Sequence, residues 1–263
     1  MANFKRYINI SRIKTHYSLL RRTKPDRLLV VKFYMNINTI GVVQARMASS
    51  RLPNKTMLHL HGYPIIEWVF HRVSKAKLVD KLIFAIPDNV KDDPLAHYLG
   101  SRGALLFRGS EIDVLDRVYC AVKDWNPKKV VHISADNPFV TWTEIDRLID
   151  FFNNTSCDYA YNLIPKGNRY PDGLGAMIAS FELLLTVHRE AKLPEHREHV
   201  FKYVWDNSVQ FRICTFDPSD ERLMHPELRL DIDTYEDYLK LLKLKVNIEM
   251  RAHEIVAAAL DET

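Results

Sequence analysis

The chain has 263 residues, 47% of them apolar and 27% charged, enough to bury one full core in a single domain of roughly 200 residues or somewhat more. No run of eighteen apolar residues occurs, which excludes a transmembrane helix, and the first residues lack the apolar centre of a secretory signal. The net charge of +4 is uneven, because residues 1–34 carry nine Lys and Arg against the single acid Asp26, leaving residues 35–263 at −4.

In chain order the basic segment comes first, and residues 1–35 read as an extension separate from a domain spanning 36–263. Such a segment could meet nucleic acid, an anionic membrane or an import receptor. It has no aromatic spacing that favours specific nucleic-acid binding, so the alternative is that it has no specific role and that translation starts at Met35. Beyond it, short apolar runs alternate with helical patterns, the signature of βαβ units around a largely parallel sheet. The strand candidates are 39–43, 81–86, 104–107, 129–133, 159–161, 210–214 and 227–231. Helices are expected from Pro64 through Val73, from Asp113 or Asp116 to about Trp125, and over 141–152, 180–189, 194–205 and 234–245.

Directly after the first strand comes Gln44-Ala45-Arg46-Met47-Ala48-Ser49-Ser50-Arg51-Leu52-Pro53-Asn54-Lys55. Three cations, serine hydroxyls and a turn-forming Pro53-Asn54 leave one strand end, so charges and backbone N–H groups can converge on a polyphosphate. The glycines and Lys-Ser/Thr ending of a P-loop are absent, so a phosphate cradle here rests on Arg46, Arg51 and Lys55. A solvated basic loop is the alternative. Farther on, Asp136 follows the run Val130–Ile133 and precedes Pro138. It is placed either to face the ligand crevice at the carboxyl end of the sheet or to cap the next helix. Strand-like spacing would put Asp231 and Asp233 on one face, while Asp233 with Glu236 three residues later also fits a capping box. His196 and His199, three apart, could ligate a metal, but no further soft ligand is clustered with them. Cys120, Cys157 and Cys214 lie far apart on apolar-rich segments, as reduced, buried thiols of a cytoplasmic protein would.

The loop's A-R-x-x-S-x-R-L-P-x-K pattern resembles the cytidylyltransferases that activate acidic sugars, the family of CMP-KDO and CMP-acylneuraminate synthetases. The similarity is greatest to its spore coat polysaccharide biosynthesis protein F branch. Further matching segments follow in the family's order: Gly109 to Arg117, Ala135 to Val140, Tyr170 to Leu174, Arg197-Glu198-His199-Val200 and Leu230 to Asp237. Together they span roughly residues 39–245.

The resemblance implies a three-layer, Rossmann-like α/β nucleotidyltransferase fold of the nucleotide-diphospho-sugar transferase type, with a mixed, mostly parallel sheet. It implies transfer of CMP from CTP to a small acidic sugar for surface polysaccharide, with Mg²⁺ as cofactor and a homodimer as the assembly. It assigns catalysis to Arg46, Lys55 and Asp136, and the metal to Asp136 and Asp233. Nucleotide contacts fall on Gln44, Ala45, Arg46, Ser50, Arg51, Lys55, Asp116 and Arg117, and acceptor contacts on Tyr170, Asp172, Arg197 and His199. The chain departs from the pattern at Gly175-Ala176-Met177, where the related branch usually carries an Asp-Val-Glu-like triplet, so acidic groups that would face the acceptor are missing. Asn54 replaces a usual Gly, a mild change because Asn tolerates the left-handed conformation. Two other readings stand beside this one: a glycosyltransferase using Asp231-Ile232-Asp233 as a metal site, and a nucleotide-binding protein without turnover.

Overall fold

The computed structural model describes residues 37–262, so the basic segment 1–35 lies outside the described residues. Nine strands are present among them: β1 Thr39–Gln44, β2 His59–Leu60, β3 Tyr63–Pro64, β4 Lys81–Pro87, β5 Leu105–Gly109, β6 Lys129–Ser134, β7 Tyr159–Tyr161, β8 Met177–Ser180 and β9 Ile213–Cys214. The helices are α1 Ile65–Val73, α2 Asp93–Ser101, α3 Val114–Val122, α4 Trp142–Asn154, α5 Phe181–Glu190, α6 Pro194–Glu198, α7 Lys202–Asp206, α8 Tyr235–Lys243 and α9 Ala252–Leu260. Seven strands form one sheet in the order β5-β4-β1-β6-β8-β7-β9, and β2 and β3 make a separate hairpin. β5, β4, β1 and β6 run parallel, whereas β8 is antiparallel to both β6 and β7. The sheet is therefore mixed and mostly parallel.

Alternation along the strands builds the layers. Ile40, Val42, Ile83 and Ala85 point to one face and pack with α3 and α5. Val43, Phe84, Ile86, Val131 and Ile133 point to the other, under α1, α2 and α4. Because both faces are covered, the central strands are apolar on both sides, which is why they read as continuous runs. A third apolar cluster, including Leu60, Trp68, Ile232, Leu241 and Ile255, joins the hairpin to α8 and α9.

Several elements depart from the sequence expectations. The 194–205 helix is broken into α6 and α7, with His199 extended at φ −111° between them. Residues 227–231 form no strand, only a single bridge between Asp172 and Arg229. The expected strand over 210–214 shrinks to Ile213–Cys214. The capping box of α8 is one residue later than expected: Thr234 accepts from the N–H of Asp237, and Asp237 Oδ2 accepts from the N–H of Thr234 at 2.8 Å. That shift frees the Asp233 side chain for other work. Strand β8, the hairpin, α2 and α9 are absent from the sequence expectations, although α9 buries Ala252, Ile255, Val256 and Ala259 at regular helical spacing.

Candidate active site

A cavity of about 470 Å³ opens at the carboxyl ends of β1 and β6, where α/β sheets place their ligands. Gln44, Ala45, Arg46, Ser50, Arg51 and Lys55 line it from one side, and Asp136 and Asp233 from the other. The loop after β1 is held in place at several points. The N–H of Asn54 donates to the Met47 carbonyl at 3.0 Å, Asn54 takes the left-handed φ of 60°, and Thr56 Oγ1 donates to the Arg46 carbonyl at 3.3 Å. The most enclosed support is Asp92, buried just before α2, whose Oδ1 accepts the N–H of Met47 at 2.7 Å. Burial raises the Asp92 carboxyl pKa above its ordinary value, an effect the Met47 and Asn89 hydrogen bonds oppose. No motif marks Asp92 in the sequence, since its role depends on β4 lying beside β1.

The site's charges are paired within the protein. Lys55 Nζ donates to Asp136 Oδ2 at 3.0 Å, to Asp233 Oδ1 at 3.2 Å and to the Ile232 carbonyl at 2.9 Å. Arg51 meets Asp233 Oδ2 at 3.0 Å, and Arg46 meets Glu198 Oε1 at 3.4 Å. A bound polyphosphate would draw these three cations to itself and leave Asp136 and Asp233 without counter-charge. Two hard carboxylates that share one ammonium and border the cavity are a donor set that fits a divalent oxygen-seeking cation. Asp231 does not border the cavity; its carboxylate is taken by Arg229 at 3.1 and 2.7 Å.

The remaining expected site residues divide. His199 lines the cavity, as does its neighbour Glu198. Arg117 does not: it is fully buried, donates to the Ser110 and Glu111 carbonyls, and leaves Nε and Nη2 without a partner. Burial, with Arg46 nearby, lowers its guanidinium pKa to about 10, so it stays charged at neutral pH. Asp116 sits outside the cavity, paired with His188 at 2.8 Å. Arg197 bonds Asp113, the N-cap of α3, at 2.9 and 2.7 Å and the His188 carbonyl at 2.8 Å, which ties α6 to α3. Tyr170 is fully buried, with its hydroxyl against Glu144 and Arg147. Asp172 is partly buried away from the cavity lining; burial, with Asp231 close by, lifts its pKa to about 6. Of the four acceptor candidates, the fold brings only His199 to this cavity.

Two glycines in this region stand where a Cβ has no room. At Gly173, φ is +93° and a Cβ would fall 2.8 Å from the Asp231 nitrogen. At Gly175 a Cβ would meet the Asn162 carbonyl and side-chain oxygens at 2.2 Å, so an acidic residue cannot enter there without displacing Asn162. His196 and His199 do not converge. His196 pairs with Asp206 at 2.8 Å, and Lys202 bridges Asp206 and Glu195 at 2.9 and 3.6 Å, so a cation already occupies that cluster.

A mixed sheet with helices on both faces, and a cation-rich loop facing two aspartates across a cavity at the strand ends, defines a nucleotidyltransferase-type α/β protein. The profile of the cytidylyltransferase family matches residues 40–256, and the chain belongs to that family. It is 32% identical over 202 residues to spore coat polysaccharide biosynthesis protein SpsF of Bacillus subtilis, covering 75% of this chain and 82% of the relative. A 3-deoxy-manno-octulosonate cytidylyltransferase of Bdellovibrio bacteriovorus is 34% identical over 114 residues, 43% of this chain and 45% of that one. A solved cytidylyltransferase structure from Leptospira borgpetersenii superposes with a TM-score of 0.77 at 26% identity, covering 86% of this chain and 94% of the other.

Proposed function

We propose that the protein transfers CMP from CTP to an oxygen of a small acidic sugar, releasing pyrophosphate, in a route to surface polysaccharide. The observation that carries the reading is the convergence of Arg46, Arg51 and Lys55 with Asp136 and Asp233 on one cavity at the strand ends. An acceptor oxygen attacks the α-phosphorus, the bond from that phosphorus to the bridging oxygen breaks, and the acceptor proton is lost. The chain's contribution is orientation and neutralisation of charge on the transferring group. Arg46 and Arg51 can grip phosphate oxygens through paired N–H donors, and Lys55, the most enclosed of the three cations, supplies a point charge between them and the aspartates.

Asp136 and Asp233 are the residues that would hold Mg²⁺, which when bound neutralises phosphate charge and polarises the phosphoryl group. A homodimer working in the cytoplasm completes the reading, as the family resemblance implies. Among the described residues no helix is long and apolar enough to cross a membrane. The glycosyltransferase alternative needs Asp231 and Asp233 together at the nucleotide, and only Asp233 borders the cavity.

The test offers each of the four nucleoside triphosphates with Mg²⁺ and a panel of sugar acids, and assays pyrophosphate. Release with CTP that depends on a sugar acid is the expected result. Pyrophosphate from no combination, or glycosyl transfer from a nucleotide sugar, overturns the reading.

A further inference from the structure

Helix α8 carries two apolar faces. Leu241 and Leu244 are buried in the cluster with Leu60, Trp68 and Ile255, which accounts for one of them. The other faces outward: Tyr235 is 54% exposed, Leu239 40% and Leu242 37%. At 3.6 residues per turn these positions, spaced by four and then three, fall in one stripe about 60° wide. Single apolar side chains on a surface need no explanation, but an aligned stripe does. Tyr238, whose ring lies 6.3 Å from that of Tyr235, stands between stripe and core and donates its hydroxyl to the His59 carbonyl at 2.7 Å. The core and the hairpin therefore fix the helix in place and leave the stripe open.

The charges beside the stripe are ordered. Glu236 lies in the first turn of α8, and Lys240 and Lys243 lie in the last. Glu236 and Lys243 are seven residues apart, so they share one flank of the stripe, on the side away from Tyr238. Neither forms an ion pair with any described residue. In an antiparallel pair of helices the same flank of each meets across the contact. A second α8 running the other way thus sets Glu236 against Lys243 of the second copy, and Lys243 against its Glu236. A parallel pair would instead set like helix ends and their like charges side by side.

We propose that two copies of the chain associate through α8, antiparallel about a two-fold axis near Leu239. Tyr235, Leu239 and Leu242 of the two copies interleave, and two Glu236–Lys243 pairs close one rim. A two-fold contact uses the same patch twice, which this stripe satisfies because its acidic and basic ends are complementary to each other. Nine residues of helix span only about 14 Å, so the contact is smaller than a standard interface and the dimer is reversible, with a dissociation constant on the order of micromolar. In naming a face the inference rests on the homodimer of the reading above, not on the transfer chemistry. Asp233 directly precedes the Thr234 cap, so the contact steadies the helix end next to that side chain.

The test is sedimentation equilibrium of the full chain from about 1 to 100 μM, where a reversible monomer–dimer equilibrium is expected. Leu239→Glu puts two carboxylates at the axis and should weaken association about tenfold or more. Glu236→Lys and Lys243→Glu each set like charges across the contact twice, and each should weaken it about tenfold. The double variant Glu236→Lys, Lys243→Glu restores opposite charges and should recover most of the loss. Damage to α8 itself would add in the double variant, since both changes oppose the helix dipole, so recovery separates contact from folding. A dimer that all of these variants keep overturns the α8 face and leaves the homodimer standing. Losses that the double variant does not recover overturn the antiparallel pairing. A monomer at every concentration overturns the face and the homodimer together, while pyrophosphate release with CTP, measured on the same protein, decides the transfer reading separately.

Discussion

Lys55 Nζ stands 3.0 Å from Asp136 Oδ2, and the two residues come from loops at the ends of adjacent parallel strands. The same ammonium reaches Asp233 at 3.2 Å, so one cation currently holds both proposed metal ligands. Asp136→Asn and Asp233→Asn each remove one hard anionic ligand while keeping its size. Turnover at saturating Mg²⁺ should fall about 10²-fold or more, with the circular dichroism spectrum unchanged. Wild-type rates from either variant would sink the assignment.

The loop cations carry a graded expectation. Arg46→Ala, Arg51→Ala and Lys55→Ala should each weaken CTP binding or slow turnover, because all three line the cavity. Arg→Lys at 46 or 51 should restore only part of the loss, since a lysine cannot reproduce the paired donors of a guanidinium. Calorimetric titration with CTP reads the effect; unchanged affinity in all three alanine variants contradicts the cradle.

Asp92 gives a test of the loop's backbone rather than its charges. Asp92→Ala leaves the buried N–H of Met47 without its acceptor, at a cost of about 1–3 kcal/mol, and lets the loop drift. Asp92→Asn retains a side-chain oxygen and should recover most of the loss. The two variants are to be compared by chemical denaturation and by the KM for CTP. Equal behaviour of alanine and asparagine would show that the Met47 bond is not what matters.

His132 also predicts a pH dependence of stability. Its folded pKa of about 4 lies below the unfolded 6.5, so the cation is favoured only in the unfolded chain. The stability tied to the neutral ring is fully present above pH 6.5 and is lost as pH falls from 6.5 towards 4. The loss amounts to something on the order of 3 kcal/mol. Asp172 runs the other way: its pKa is raised from 3.8 to about 6, so its contribution to stability declines as pH rises across that interval. Comparing wild type with His132→Phe cancels the Asp172 effect. The unfolding free energy of wild type should drop relative to the variant between pH 6.5 and 4, and parallel curves would mean that His132 titrates normally in the fold.

The sequence by itself determined the alternation of strand and helix, the mostly parallel character of the sheet, and the gathering of Arg46, Arg51 and Lys55 on one loop after the first strand. These are local properties: apolar runs, period and charge density need no knowledge of what lies across the sheet. Asp136 was legible for the same reason, as a carboxylate at a strand end. Only the tertiary structure decided which of the candidates meet. Arg197 and Tyr170 sit in matching motifs, yet Asp113 and Glu144 hold them away from the cavity. Asp233 faces the cavity because the cap of α8 fell one residue later, on Thr234, a choice between near-equal local alternatives that packing settles. The support that Asp92 gives Met47 and the burial of His132 against Gln44 left no mark in the sequence. Each depends on contacts between residues far apart in the chain, and such pairing is set by the register of neighbouring strands rather than by any local pattern.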